Sequence, residues 1–206
     1  MILSLPDGLV LDLGTGSEHD DAFERLDELI DAYNVRRRDG LLREIVAALC
    51  ARARQRADAD PNGAIADLTT GLELTAYLHS PSLLAKLYGL RGWVEASTAR
   101  YDVALADYDA ALESEPTHRT YRNNRSVCRR LVGDLRGALG DARAAVAENR
   151  HSGLYWLTLA EAYAALGEDT QAITAIRRAL RLNPSLTRQL YDPVFARVRV
   201  REDFPD

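Results

Sequence analysis

The chain has 206 residues, 47% of them apolar, and a net charge of −5. This apolar content suffices for a buried core, and the slight acidic excess lacks the basic surface of general nucleic-acid binders. No apolar run approaches the ~20 residues of a membrane span, and no basic segment precedes the first apolar residues as in a secretory signal. We therefore expect a cytoplasmic protein with no membrane or nucleic-acid partner.

Alanine, leucine and arginine dominate the sequence, and glycine and proline are few, which favours an all-α fold. Cys50 and Cys128 lie far apart and form no CxxC pattern, so we expect buried free thiols. The histidines show no metal-ligand spacing; they are His19, His79, His118 and His151. We expect no metal, no cofactor and no catalytic residue.

Two short apolar segments open the chain, at 2–5 and 9–13, and a Pro-Asp-Gly turn joins them. This pattern predicts a short β-hairpin or arm, followed by an amphipathic helix at 18–35 that Ser17 caps. An isolated two-stranded hairpin is marginally stable in water. It should therefore pack on the following helix or pair with a second copy, which would give a homodimer through the hairpin.

The segment VLDLGTGS at 10–17 offers a second interpretation. A strand that runs into DxGxG resembles the nucleotide-binding opening of class I methyltransferases, and DLGTG resembles an actin-like phosphate loop. Such a loop needs a βαβ unit and further parallel strands, whereas the sequence downstream is helical. A nucleotide- or S-adenosylmethionine-binding protein is retained as the alternative function.

The next stretch predicts a helix pair, with a first helix at about 40–57 and a second that starts at Asp60-Pro61. Its sequence AIADLTTGLEL at 64–74 is similar to ALADYDAALES at 104–114. We place an insertion around 79–81, where Ser80 is predicted to cap the following helix and Pro81 to open it.

From residue 85 the same types of side chain recur every 34 residues, in segments 85–118, 119–152 and 153–186. Small residues recur at fixed positions of the three segments, in the columns Gly92, Ser126, Ala160; Ala99, Gly133, Gly167; Ala104, Ala138, Ala172; and Ala111, Ala145, Ala179. Small residues let paired helices approach, and glycine can end a helix in the left-handed conformation. Each segment therefore predicts a helix, a short turn and a second helix.

This pattern resembles the tetratricopeptide repeat family, most closely in the third segment. The matching residues are Trp156, Leu159, Ala160, Tyr163, Gly167, Ala172, Ile176, Ala179 and Pro184. The resemblance implies a right-handed superhelical solenoid of helix-turn-helix repeats over 40–186. Residues 1–39 would form the arm and one helix, and 187–206 a terminal helix that caps the last unit.

One charge pattern repeats with the period. Arg91 and Asp107 are 16 residues apart, as are Arg125 and Asp141, while the third segment has Leu159 and Ala175 instead. Because arginine and aspartate occur together or not at all, we hypothesise an ion pair between the two helices of a unit, with N to O distances below about 4 Å.

The family resemblance implies a non-catalytic scaffold whose first helices line a concave groove for a peptide or a partner helix. The groove positions are Lys86, Gly89, Leu90, Trp93, Asn123, Asn124, Val127, Arg130, Leu154, Leu157, Thr158 and Glu161. The candidate partner-binding residues among them are Lys86, Trp93, Asn123, Asn124, Val127, Arg130, Thr158 and Glu161.

Their chemistry suggests distinct roles. Trp93 would anchor an apolar side chain, the two asparagines would bond peptide backbone, and Lys86 with Arg130 would meet an acidic group. The family's chaperone-tail clamp is not reproduced, because Gly89 and Trp93 stand where it expects lysine and asparagine. An adaptor whose groove is blocked by its own C-terminal segment stays open as a third interpretation.

Overall fold

The computed structural model describes the backbone of residues 2–4, 10–12 and 19–205, and the side chains of 35–36 and 38–205. The predicted turn at 6–8, the Ser17 cap and the side chains of the helix predicted at 18–35 lie outside these residues. Strands β1 (Ile2–Ser4) and β2 (Val10–Asp12) pair antiparallel.

The described residues are otherwise almost entirely helical. The α-helices are α1 (His19–Arg56), α2 (Pro61–Thr75), α3 (Pro81–Ser97), α4 (Tyr101–Ser114), α5 (Arg119–Val132), α6 (Leu135–Glu148), α7 (Gly153–Leu166), α8 (Asp169–Leu182) and α9 (Ala196–Arg199). From α1 to α8 each helix packs on the next along the chain, and α5 also packs on α3 and on α7. Helix pairs thus stack side by side and form an all-helical solenoid.

Helix α1 contradicts the prediction of two separate helices at 18–35 and about 40–57. It runs unbroken from His19 to Arg56, straight through Gly40. An interior glycine costs only about 1 kcal/mol relative to alanine, and no proline interrupts the segment. A methyl group on Gly40 would meet no atom within 4 Å, so packing imposes no turn here.

The predicted start of α2 is confirmed, since the Gly63 N–H donates to Asp60 Oδ1 at 2.9 Å and Pro61 opens the helix. Pro81 likewise opens α3, and Ser80 occupies its N-cap position, but the Ser80 side chain does not make the predicted capping hydrogen bond. The Leu83 N–H already donates to the Ser80 carbonyl at 3.1 Å, so the hydroxyl does not take that cap position.

The small-residue columns set how closely the helices of a unit approach. A methyl group on Gly92 would lie 3.2 Å from the carbonyl oxygen of Ala104, and the Ser126 hydroxyl donates to Ala138 O at 2.8 Å. Gly133 and Gly167 adopt the predicted left-handed conformation, with φ of 93° and 85°. Helices α5 and α7 therefore end at the expected residues.

The C-terminal segment follows a different course from the single helix that we predicted. It forms 3-10 turns at Pro184–Tyr191 and Pro193–Phe195 and then the short helix α9. A proline at residue 193 cannot donate the hydrogen bond that a continuous helix requires. Leu186, Leu190, Phe195 and Val198 are nevertheless buried in the same apolar cluster as α7 and α8. This segment therefore covers the apolar face of the last helix pair.

Cys50 and Cys128 are free and buried, as expected. Burial raises the pKa of both thiols, and that of Cys128 reaches about 11, so both stay protonated at neutral pH. Among the described residues, none of the helices is long and apolar enough to cross a membrane.

Candidate partner-binding surface

Two arginine–aspartate pairs hold the helices of their units together, as hypothesised. Arg91 donates to Asp107 through Nε at 2.9 Å and Nη2 at 2.7 Å. Arg125 donates to Asp141 in the same way, with both distances at 2.8 Å. Bidentate geometry of this kind is among the stronger polar interactions in proteins and fixes the register of the two helices.

A third pair, between Arg52 and Asp67, was not predicted from the sequence. Its hydrogen bonds are 2.9 and 2.7 Å long, and they join α1 to α2. The separation is 15 residues here, so a search for a 16-residue spacing does not find it. The hydrogen bond from Arg52 holds the pKa of the buried Asp67 carboxyl below its ordinary value.

The same arginines also reach the preceding unit. Arg91 Nη1 donates to Thr69 Oγ1 at 3.2 Å, and Arg125 Nη1 donates to Asp109 Oδ1 at 2.6 Å. Each acceptor lies two residues after the paired aspartate of its own helix. One guanidinium therefore links the two helices of its own unit and the neighbouring unit.

The first helices α3, α5 and α7 lie side by side and form what we call the first-helix surface. A pocket with a volume of about 270 Å³ opens on it between α3 and α5. Its lining residues are Trp93, Ala96, Ser97, Tyr101, Tyr108, Asn124, Val127, Cys128 and Leu131. We refer to it as the Trp93 pocket.

The walls of the Trp93 pocket are apolar, with one amide among them. Trp93 is 41% exposed on α3, and Leu131 is 45% exposed on α5. Tyr108 is buried, and burial raises the pKa of its hydroxyl. The pocket thus combines exposed aromatic and aliphatic walls with the amide of Asn124, an arrangement typical of ligand sites.

Three of these pocket residues were predicted from the sequence, namely Trp93, Asn124 and Val127, and the structure brings them together. Tyr101 and Tyr108, which belong to α4, were not predicted. Leu131 could have been predicted from the sequence, because it follows Val127 by four residues on the same helix face.

Arg130 and Glu161 form a pair of their own, with Arg130 Nη2 donating to Glu161 Oε2 at 3.2 Å between α5 and α7. Burial raises the pKa of the Glu161 carboxyl, Arg130 opposes this shift, and Asp192 adds to it. Arg130 was predicted to meet an acidic group of a partner. Such a group would therefore have to compete with Glu161 for the Arg130 guanidinium.

The remaining groove positions fall into two groups. Lys86 and Leu154 are exposed and Leu90 is half-buried, whereas the buried ones are Gly89, Asn123, Leu157 and Thr158. A methyl group on Gly89 would lie 2.2 Å from Tyr121 Cε1, so that ring covers this position. The buried side chains contribute to helix packing and are not accessible to a partner without rearrangement.

Residues 153–191 match the family model described as the tetratricopeptide repeat. The chain is similar to this family over these residues. Its matched segment begins at α7 and extends through α8 into the first 3-10 turn, which agrees with the third segment of the sequence period.

Several solved structures have a similar fold. MamA from Desulfovibrio magneticus RS-1 is 21% identical, with a TM-score of 0.57 over 71% of this chain and 76% of that chain. YrrB, a tetratricopeptide repeat protein with an unusual peptide-binding site, is 18% identical, with a TM-score of 0.57 over 75% and 78%. The first such domain of Spaghetti (RPAP3), bound to an HSP90 peptide, is 22% identical, with a TM-score of 0.52 over 59% and 93%.

Proposed function

We propose that this protein is a non-catalytic tetratricopeptide repeat scaffold in the cytoplasm that holds a peptide or helix of another protein on its first-helix surface. The Trp93 pocket is the anchor point of this interaction. The observation that carries the proposal is the exposure of Trp93 and Leu131 around an open apolar pocket that also presents an amide.

Large apolar side chains are costly to leave in water, and a contiguous exposed group of them marks an interaction site. Trp93 and Leu131 stand on facing walls of the Trp93 pocket, and Leu154 is 50% exposed farther along the same surface. Among the residues that the structure describes, none of those that line the pocket carries a charge. An apolar side chain of the partner therefore fits it best, with Asn124 serving the partner's backbone.

Two similar structures support this use of the fold. The Spaghetti domain is bound to an HSP90 peptide, and YrrB is described as having a peptide-binding site. Residues 40–186 form the binding solenoid in this proposal, 1–39 the arm, and 187–206 the cap. Antiparallel pairing of β1 with β2 supports a hairpin in the arm.

The alternative function, a nucleotide or S-adenosylmethionine site at 10–17, has no observation in its favour. Such a site needs a strand within a parallel βαβ unit, whereas β2 pairs antiparallel with β1 in the described residues. Calorimetric titration with ATP and with S-adenosylmethionine tests it directly, and tight binding of either would defeat the scaffold proposal.

Selection from a random peptide library on the immobilised full chain tests the proposal. Enriched peptides should share one large apolar residue, and Trp93→Ala should weaken their binding at least tenfold in fluorescence anisotropy. Val103→Ala is the matched control, since Val103 is 48% exposed on α4 and does not line the pocket. Equal binding by the wild type and by Trp93→Ala would contradict the proposal.

A further inference from the structure

The bidentate ion pairs show which residues of α1 and α3 lie side by side. Arg52 on α1 and Arg91 on α3 each donate to the aspartate of their own unit through Nε and Nη2. The two arginines therefore hold equivalent positions, and so do Arg54 and Trp93, which follow them by two residues. Helix α1 packs on α3 and extends the first-helix surface. Arg54 is thus the neighbour of Trp93 on α1.

The same alignment gives the order of charges across the first-helix surface. Two residues after Arg125 comes Val127, which lines the Trp93 pocket, and the equivalent residue of α7 is Glu161. The row therefore runs from a cation on α1 through the apolar pocket to a carboxylate on α7. Arg130 pairs with that carboxylate at 3.2 Å. The charge that remains for a partner is positive and lies on the α1 side of the pocket.

Lys86 on α3 provides a second cation near Arg54, and both side chains are exposed. Cys50, four residues before Arg54, is buried in one apolar cluster with Leu87 of α3. Burial raises the pKa of the Cys50 thiol, and the charges of Lys86 and Arg54 oppose this shift. Since a charge acts on a pKa only at short range, both cations lie near the same sulfur atom.

Tyr121 of α5 adds a hydroxyl to this part of the surface. Its ring covers Gly89 of α3, where an added methyl group would collide with the ring atoms, so the side chain extends from α5 over α3. Burial and Glu115 raise the pKa of Tyr121, and the charge of Arg54 opposes them. We call the region bordered by Arg54, Lys86 and Tyr121 the α1–α3 junction.

The cations of the α1–α3 junction differ from their neighbours on α1 in lacking a carboxylate. Arg52 and Arg56 form ion pairs with aspartates at 2.7 and 2.6 Å. The ion pairs found where the structure describes the side chains do not include Arg54 or Lys86. Two exposed cations beside an apolar pocket are complementary to a carboxylate close to an apolar side chain.

We infer that the partner carries an aspartate or glutamate beside its apolar anchor, and that Arg54 and Lys86 bind this side chain at the α1–α3 junction. The inference rests on the proposed function, because it adds a second contact of the same partner on the first-helix surface. Adjacent packed helices have axes about 8 to 10 Å apart, and an extended peptide spans about 3.3 Å per residue, so the acidic residue should stand about three positions from the apolar residue.

Selection from a random peptide library on the immobilised full chain gives the first test. Peptides selected by the wild type should share an acidic residue at that distance from a large apolar residue. Selection on Arg54→Glu with Lys86→Glu should replace the acidic residue by lysine or arginine and keep the apolar one. An apolar residue without an acidic preference would overturn the inference and leave the proposed function standing. Peptides that share no apolar residue would contradict both.

Fluorescence anisotropy with one selected peptide, amidated at its C-terminus, restricts the carboxylates to its side chains. Replacing the acidic residue of the peptide by its amide should weaken binding to the wild type about tenfold, and less at high salt. The same replacement should have little effect on binding to Arg54→Gln with Lys86→Gln. Equal weakening with both proteins would show that the carboxylate binds elsewhere and would overturn the inference.

Arg136→Gln is the matched control for the loss of one positive charge, since Arg136 is exposed on α6, a second helix. It should leave peptide binding unchanged, whereas Arg54→Gln should weaken it. Because Arg54 and Lys86 are exposed, their variants should keep the helical circular dichroism spectrum of the wild type. Equal losses of affinity in Arg136→Gln and Arg54→Gln would reflect net charge alone and would contradict a specific junction.

Discussion

Arg125 and Asp141 are joined by two parallel hydrogen bonds of 2.8 Å between α5 and α6, and one unit later the same two positions hold Leu159 and Ala175. Arg129 also reaches Asp141, through Nη1 at 3.0 Å. The contact between the two helices of a unit is thus made by an ion pair in one unit and by apolar side chains in the next. The contribution of the ion pair to stability can therefore be tested by replacing it with the apolar residues of the next unit.

The single variant Arg125→Leu should lower the free energy of unfolding by about 2 to 4 kcal/mol, because it leaves the buried Asp141 without its bidentate partner. The double variant Arg125→Leu with Asp141→Ala copies the last unit and should recover most of that loss. Urea unfolding of the wild type, both singles and the double gives the coupling energy. Additive effects of the two changes would show that the pair carries no specific stabilisation.

Ala99 holds a left-handed backbone conformation with φ of 60°, at the position where Gly133 and Gly167 end the other first helices. A non-glycine residue in this region is strained by about 1 kcal/mol or more. Ala99→Gly should therefore raise the midpoint of thermal unfolding. Ala147→Gly is the control, since Ala147 is exposed within α6 and glycine should destabilise that helix. Destabilisation by both changes would contradict this account.

Gly40→Ala should stabilise the protein by about 0.5 to 1 kcal/mol, because Gly40 lies inside the continuous helix α1 and an added methyl group meets no neighbouring atom. Gly133→Ala should do the opposite, since the backbone at Gly133 has φ of 93°. Chemical unfolding of both variants measures the difference. A loss of stability in Gly40→Ala would mean that α1 bends or breaks there.

Glu161 should make stability depend on pH, since burial raises the pKa of its carboxyl above the ordinary value of 4.5. A raised folded-state pKa means that its contribution is fully present below the unfolded pKa and is lost as pH rises through the folded pKa. The stability of Glu161→Gln relative to the wild type should therefore increase over that pH range. Glu113→Gln, an exposed change on α4, is the control. A pH-independent difference for Glu161→Gln would contradict the shift.

The period of the sequence predicted the helices from α3 to α8, because small residues must recur wherever two helices approach closely. Gly92 and Ser126 show this directly in their contacts with the second helices. The prediction of a break before Gly40 was wrong, since the helix propensity of the surrounding residues outweighs the free-energy cost of one glycine inside a helix. The spacing of residue types in the sequence does not indicate that the final segment forms 3-10 turns.

Only those residues of the candidate site that lie on one shared face of the first helices could be predicted from the sequence. Trp93, Asn124 and Val127 meet because equivalent positions of adjacent first helices lie side by side. The pairing of Arg130 with Glu161 depends on how far α5 and α7 are displaced along their axes, which the sequence does not specify. Tyr108 enters the pocket from the second helix layer, so a list of first-helix positions omits it.

Hydrogen exchange of backbone amides with and without a library-selected peptide tests the central claim most directly. The account predicts that bound peptide slows exchange in α3 and α5, around Trp93 and from Asn124 to Leu131, and leaves α4 surface positions such as Val103 unchanged. Protection confined to other parts of the chain, such as 10–17 or the C-terminal segment, would contradict it.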